Sequence, residues 1–343
     1  MKARIISLTL IGLCVLSILV GILHTFIAIR SHDEETPENI EQSSLWDFSA
    51  GENKIALLSL NGVISSEQPE NLFSDAGSAE SLQKALRKIL KDSSVKGVLI
   101  KINSPGGTVG LSQEINSLLL RIRKKMPVVV TMSDLAASGG YYIACAADRI
   151  YAQPGTLTGS IGVIMQSLDA HELLTNKLGI RANTIKSGKF KDIASPYRAL
   201  PPEERALLQN LINNTYNQFV NAIITGRVKR NDEYNIARAK LSESTLRKYA
   251  DGRVFTGEQA KKLGFVDELG GLYEAQQAIN KMAKQKFKLS AKELPLVQYN
   301  APTGIENLLF GVTESFFGGS KDVTRELLPA GVKHSHQLLY IWE

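Results

Sequence analysis

The sequence predicts an α/β protein built on a mostly parallel sheet and preceded by one N-terminal transmembrane helix. Three observations carry that reading. From Lys54 to about Lys288, short apolar runs of strand character alternate with longer runs whose apolar residues recur at helical spacing. Gly- and Pro-containing stretches separate them, and such alternation favours right-handed βαβ units with helices covering the sheet. Ahead of this body, residues 5–29 form an apolar run without a single Asp, Glu, Lys or Arg.

Taken in order, the apolar run comes first. As a helix it spans about 37 Å, more than a hydrocarbon core of about 30 Å. It exceeds the apolar region of a secretory signal and lacks a clear small-x-small cleavage site, so a membrane anchor over residues 1–30 is expected. Lys2 and Arg4 precede it and acidic residues follow. That bias puts the N-terminus in the cytoplasm of a single-pass inner or plasma membrane protein and the remainder on the extracytoplasmic side. Residues 31–50 are polar, acidic and turn-rich, as a juxtamembrane linker is. The body proper is expected over residues 51–290. It opens with a strand at "KIALLSLNGVI" and a helix at "SAESLQKALRKILKD". A strand at "VKGVLIKINS", a helix at "GLSQEINSLLLRIRKK" and a strand at "PVVVTMS" follow. Shorter strands are expected at "RIYAQ", "SIGVIMQ" and "RANTIKS", then a long helix beyond Pro201-Pro202. Residues 291–343 show no clear period and are expected to be peripheral.

Composition removes several classes of function. A net charge of +6 over 343 residues, with basic side chains scattered and not interleaved with aromatics, argues against nucleic-acid binding. Two cysteines, Cys14 and Cys145, make neither a disulfide framework nor a zinc site. Carboxylates do not cluster with histidines and no phosphate-cradling glycine loop is present, so no metal or organic cofactor is expected.

Two strand-to-helix junctions have the residues for acyl-transfer chemistry. "NSPGGTVG" offers backbone amides at Gly106-Gly107, where a helix begins and an oxyanion can be held. "AASGGYY" places the Ser138 hydroxyl at a second junction, with Gly139 and Gly140 permitting close approach. Each alone reads equally as a tight turn, but the pair separated by one helix and one strand is more specific. A serine nucleophile needs a base. Of five histidines, His24 lies in the anchor, His32 beside it, and His334 and His336 near the end. His171 sits on a helix-like, solvated stretch, so a Ser-His-Asp triad has little support. A lysine free of its proton can serve instead. "KSGKFKDIASP" offers Lys186, Lys189 and Lys191, and spacing alone does not choose between Lys189 and Lys191.

With these motifs assembled, the chain resembles the short, membrane-anchored form of the signal peptide peptidase SppA family. The resemblance rests on "SPGG" at Ser104–Gly107, "AASGGYYIACAAD" at Ala136–Asp148 and "TLTGSIGVIM" at Thr156–Met165. It continues through "KSGKFKDIASP" at Lys186–Pro196 and "DGRVFTGEQAKKLGFVDELGG" at Asp251–Gly271, and covers about residues 50–285. It implies a Clp/crotonase-like fold of repeated ββα-type units and a serine/lysine-dyad peptidase. It also implies Ser138 as nucleophile, Lys191 in the "SGxxKD" pattern as general base, and Ser160 orienting that lysine. The Gly107 and Gly139 amides would form the oxyanion hole. Remnant signal peptides and similar apolar, extended peptides are the implied substrates. A ring-shaped homo-oligomer, whose subunit contacts complete each site, is the implied assembly. Two other readings remain on the same residues: a crotonase-like acyl-CoA enzyme, and a catalytically silent membrane scaffold.

Overall fold

The computed structural model describes residues 53–66, 77–229, 240–300 and 339–341. The expected anchor and linker lie outside them, and among the described residues no helix is long and apolar enough to cross a membrane.

The strands are β1 (Lys54–Asn61), β2 (Val95–Ser104), β3 (Gly106–Thr108), β4 (Val128–Ala137), β5 (Arg149–Ala152), β6 (Leu157–Gly159), β7 (Val254–Thr256), β8 (Glu268–Leu269), β9 (Leu296–Gln298) and β10 (Leu339–Ile341). The helices are α1 (Ala79–Ile89), α2 (Val109–Arg123), α3 (Gly139–Ala144), α4 (Pro202–Ile223), α5 (Glu243–Tyr249), α6 (Gly257–Leu263) and α7 (Leu272–Phe287). One sheet runs β7-β6-β4-β2-β1-β9, with β5 pairing β4 and β8 pairing β5. All its pairings are parallel except β6 with β7.

The sheet is buried on both faces, as parallel strands with near-continuous apolar runs require. Ala56, Leu58, Val98, Ile100 and Val130 face a core closed by α1, α2 and α3. Their neighbours Ile55, Leu99 and Val129 face the opposite way, onto Ala275, Ile279 and Met282 of α7. This alternation follows from the two-residue period of a strand. Local caps fix the helix ends. Ser78 accepts the Ser81 N–H at 3.1 Å ahead of α1, with Glu80 in its first turn and Arg87 and Lys88 in its last.

Three expectations are corrected. "SIGVIMQ" and "RANTIKS" are not strands: beyond Gly159 the chain leaves the sheet and, up to α4, forms turns and a short π-turn at Leu173–Lys177. Ile161 still packs into the core, but Ile164 and Ile185 are exposed, so the alternation there does not mark a buried strand face. The third concerns the region after Lys288. Leu296–Gln298 adds an edge strand to β1, and Leu339–Ile341 pairs antiparallel with β3.

Candidate active site

Parallel register brings the motif turns together. Ser104 of β2 stands opposite Ala136 of β4, and Ala137 of β4 stands opposite Gly159 of β6. The turns that follow, at 105–107, 138–139 and 160, therefore open at the same carboxyl end of three neighbouring strands. This is where open α/β sheets hold their ligands. Gly140 supplies the close approach: a Cβ there would lie 3.1 Å from the Ser104 carbonyl oxygen.

Ser138 is 1 % exposed and sits at φ 52°, ψ −115°, outside the regions a residue with a Cβ prefers. Such a conformation costs about 1–3 kcal/mol and persists only where its surroundings impose it. Two hydrogen bonds impose it. The Ser138 N–H donates to the Gly159 carbonyl, and its own carbonyl accepts the Tyr142 N–H, both at 2.8 Å. The hydroxyl does neither job. It does not cap α3, and it is buried without a hydrogen-bond partner. A buried unsatisfied hydroxyl costs about 1–3 kcal/mol, so its retention marks it as held for something other than stability. Behind it Gly139 opens α3, where a backbone N–H has no intrahelical acceptor.

The Gly106-Gly107 turn is shaped by backbone contact. The Ser104 hydroxyl accepts the Gly106 N–H at 3.1 Å, and Ile64 exchanges hydrogen bonds with Gly106 and Thr108 at 2.7 Å. A Cβ on Gly107 would fall 2.0 Å from the Ile64 carbonyl oxygen, so any other residue there forces the backbone to shift. On the other side of this strand, β10 sets Tyr340 opposite Gly107. Ser160 is 6 % exposed at φ 48°, and its N–H donates to the Arg253 carbonyl at 2.8 Å.

The lysines lie elsewhere in the architecture. Lys186, Lys189 and Lys191 are on the irregular stretch between β6 and α4, where Lys191 is exposed. Lys186 bonds Asp192, and Lys189 pairs with Glu203. Neither they nor Lys191 hydrogen-bonds the Ser138 hydroxyl. His171 donates from Nδ1 to the Tyr197 carbonyl at 2.9 Å on that same stretch, and is not bonded to the serine either. The chain thus joins Ser138 with the turns bearing Gly107, Gly139 and Ser160, while Lys191 is exposed and makes no hydrogen bond to the Ser138 hydroxyl. Among the described residues, no group of three or more His, Cys, Asp or Glu side chains is placed to hold a metal ion.

Sequence reading passed over two features of this region. Arg227, 5 % exposed, forms a two-pronged ion pair with Asp267 at 2.8 and 2.9 Å, and Asp267 also accepts the Ile150 N–H. Beside it Gly226 packs onto the Cys145 carbonyl at the far end of α3. The Cys145 thiol is pushed up to about 12 by burial and is chemically quiet. The second feature is an ion network around Asp192, on a stretch that is neither helix nor strand.

Residues 121–286 match the model of Peptidase family S49. Over 281 residues the chain is 38% identical to a protein named as a protease in Synechocystis sp., covering 79% of this chain and 93% of that one. It is 35% identical over 297 residues to a protein named as signal peptide peptidase SppA in Enterococcus faecium, covering 86% and 79%. Among solved structures, a mutant of ClpP1 from Listeria monocytogenes aligns with a TM-score of 0.39 at 19% identity, over 65% of this chain and 94% of that one.

Proposed function

Because this chain belongs to peptidase family S49, the SppA family of serine proteases, we propose that Ser138 is its nucleophile and Lys191 its general base. The observation that carries this reading is the buried, unpartnered Ser138 hydroxyl, held on a strained turn beside the Gly106-Gly107 amides. The Ser138 oxygen attacks a peptide carbonyl while the Lys191 amine takes its proton. The carbonyl oxygen, now anionic, is held by the Gly107 and Gly139 amides, each donor contributing about 2.7–4 kcal/mol. The lysine returns the proton to the leaving amine, then draws one from the water that releases the acyl group. Ser160, at the carboxyl end of β6, has the role of orienting the lysine.

Two observations support a base supplied by a second copy of the chain. Lys191 is exposed and unattached to Ser138 within one chain. The same stretch carries Leu168, Leu173, Leu178, Ile180 and Ile185, each more than half exposed. Surface of that kind calls for a cover, and subunits arranged in a ring provide one. Substrates are extended, apolar peptides such as cleaved signal peptides. The edge of β3 supports this, since it accepts an antiparallel strand at the oxyanion turn. The apolar run at residues 5–29 supports a single-pass anchor, with the protease domain on the extracytoplasmic side.

The test is labelling by a fluorophosphonate together with hydrolysis of an apolar peptide. Labelling of Ser138 in the intact chain, with both activities lost in Ser138→Ala, is the expected result. Hydrolysis that persists in Ser138→Ala removes the assignment, and absence of labelling favours acyl-CoA chemistry or a silent scaffold.

A further inference from the structure

We infer that Arg198 is a positioning residue for the general base: it clamps Asp192, the neighbour of Lys191, and ties that loop to α4 through Glu204. The inference rests on Lys191 being the base.

Residues 186–200 contain no helix or strand. Their shape comes from successive turns, in which the Lys191 N–H donates to Gly188 and the Ser195 N–H to Asp192, both at 3.1 Å. Such turns are individually weak. What fixes them is one guanidinium. Arg198 Nε donates to Asp192 Oδ2 at 2.9 Å, while Nη2 reaches Asp192 Oδ1 at 2.8 Å and the Asp192 carbonyl at 3.0 Å. Nη2 also meets Glu204 Oε1 at 2.8 Å, and Lys186 Nζ meets Asp192 Oδ1 at 2.5 Å. One planar fork thereby holds the side chain and the backbone of the residue next to Lys191, and fastens both to a helix. An ammonium, a point donor, has no such geometry.

Burial sets this network apart from ordinary surface ion pairs, which are worth little. The Asp192 side chain is 12% exposed and that of Glu204 is 5%. Hydrogen bonds from Arg198 and then Lys186 hold the Asp192 carboxyl well below the usual carboxylate range. Glu204 Oε2 is buried with no partner, so among the contacts described only Arg198 compensates that carboxylate. Without Arg198, Glu204 loses its described partner and Asp192 keeps only Lys186, so the loop loses its tie to α4. Arg198 and Asp192 lie with Lys191 on a stretch outside every helix and strand of the fold. The consequence therefore falls on where Lys191 stands. A displacement of about 1 Å in a catalytic group costs on the order of 10²-fold in rate.

The test uses mixed assemblies of the full chain. Ser138→Ala subunits can donate only the lysine, and Lys191→Ala subunits only the serine, so mixing them restores peptide hydrolysis. Arg198→Ala is then added to one partner at a time. On the lysine donor it is expected to lower kcat on the order of 10²-fold with KM within about twofold. On the serine donor it is expected to leave kcat unchanged. Arg198→Lys on the lysine donor restores less than a tenth of the loss, because the fork is gone. Equal losses on the two partners, or none, overturn the proposal, as does failure of the Arg198→Ala chain to assemble.

If the unmodified mixture is inactive, the cross-subunit base is wrong, and Arg198 is tested in the homogeneous chain instead. There Arg198→Ala is expected to slow both turnover and fluorophosphonate labelling of Ser138 on the order of 10²-fold, with KM and thermal midpoint little changed. Unchanged turnover, or a loss explained by a lowered midpoint, overturns it.

Discussion

The two halves of the proposed machinery are built in opposite ways. The nucleophile turns close three adjacent parallel strands and are held by backbone hydrogen bonds, with side chains packed to near-zero exposure. The stretch carrying the base has no sheet beneath it, exposes most of its residues and takes its shape from ions. One half is finished within a single chain. The other has donors and apolar surface still to be covered. Catalytic groups need fixed geometry, and this molecule fixes it by packing on one side and by charge on the other.

The largest effects break the comparison at its two ends. Ser138→Ala and Lys191→Ala are each expected to lower kcat/KM by about 10³-fold or more while thermal midpoints stay within a few degrees. A Lys191→Ala chain with near wild-type turnover moves the base to Lys189. Next comes backbone tolerance, read by thermal unfolding. Gly107→Ala drives a Cβ against the Ile64 carbonyl and is expected to cost about 1–3 kcal/mol. Gly188→Ala, with nothing within 4 Å, is expected to stay within about 0.5 kcal/mol. Equal costs at the two glycines would erase the distinction. Chemical access follows. Cys145, with its thiol pushed up to about 12, is expected to resist iodoacetamide in the native chain at pH 8 and to react only after unfolding. Mass spectrometry of the Cys145 peptide reads this directly. The smallest effect is at Lys189, whose pair with Glu203 joins two side chains that are more than half exposed. Lys189→Ala is expected to cost under about 0.5 kcal/mol and to leave turnover alone.

The same contrast explains what was legible in the sequence. Strands β1, β2 and β4, helix α1, and the turns at Ser104–Gly107 and Ala136–Gly140 could be read because local pattern and burial agree there. Val98, Leu99 and Ile100 are apolar in a row because both faces of their strand are covered. On the stretch carrying the proposed base that agreement fails. Ile180 and Ile185 suggest a strand, yet both are more than half exposed. Periodicity reports that a side chain avoids water, but not whether its own chain supplies the shelter. The ion network escaped notice for a plainer reason. Lys186, Asp192 and Arg198 lie on a stretch that is neither helix nor strand, where no period places residues on a common face. Strands β9 and β10, three residues each, are too short for any period to show.

The pairing of β10 with β3 has a thermodynamic consequence. On the proposed reading, a peptide lying along β3 takes hydrogen-bonding positions already filled by Leu339–Ile341. The two are rivals for one edge, and one of them is tethered. A tethered rival acts at an effective concentration that dilution does not change. A substrate's apparent affinity is then its intrinsic affinity scaled by the fraction of time the edge stands open. Removing residues 339–343 is expected to lower KM and leave kcat as it was.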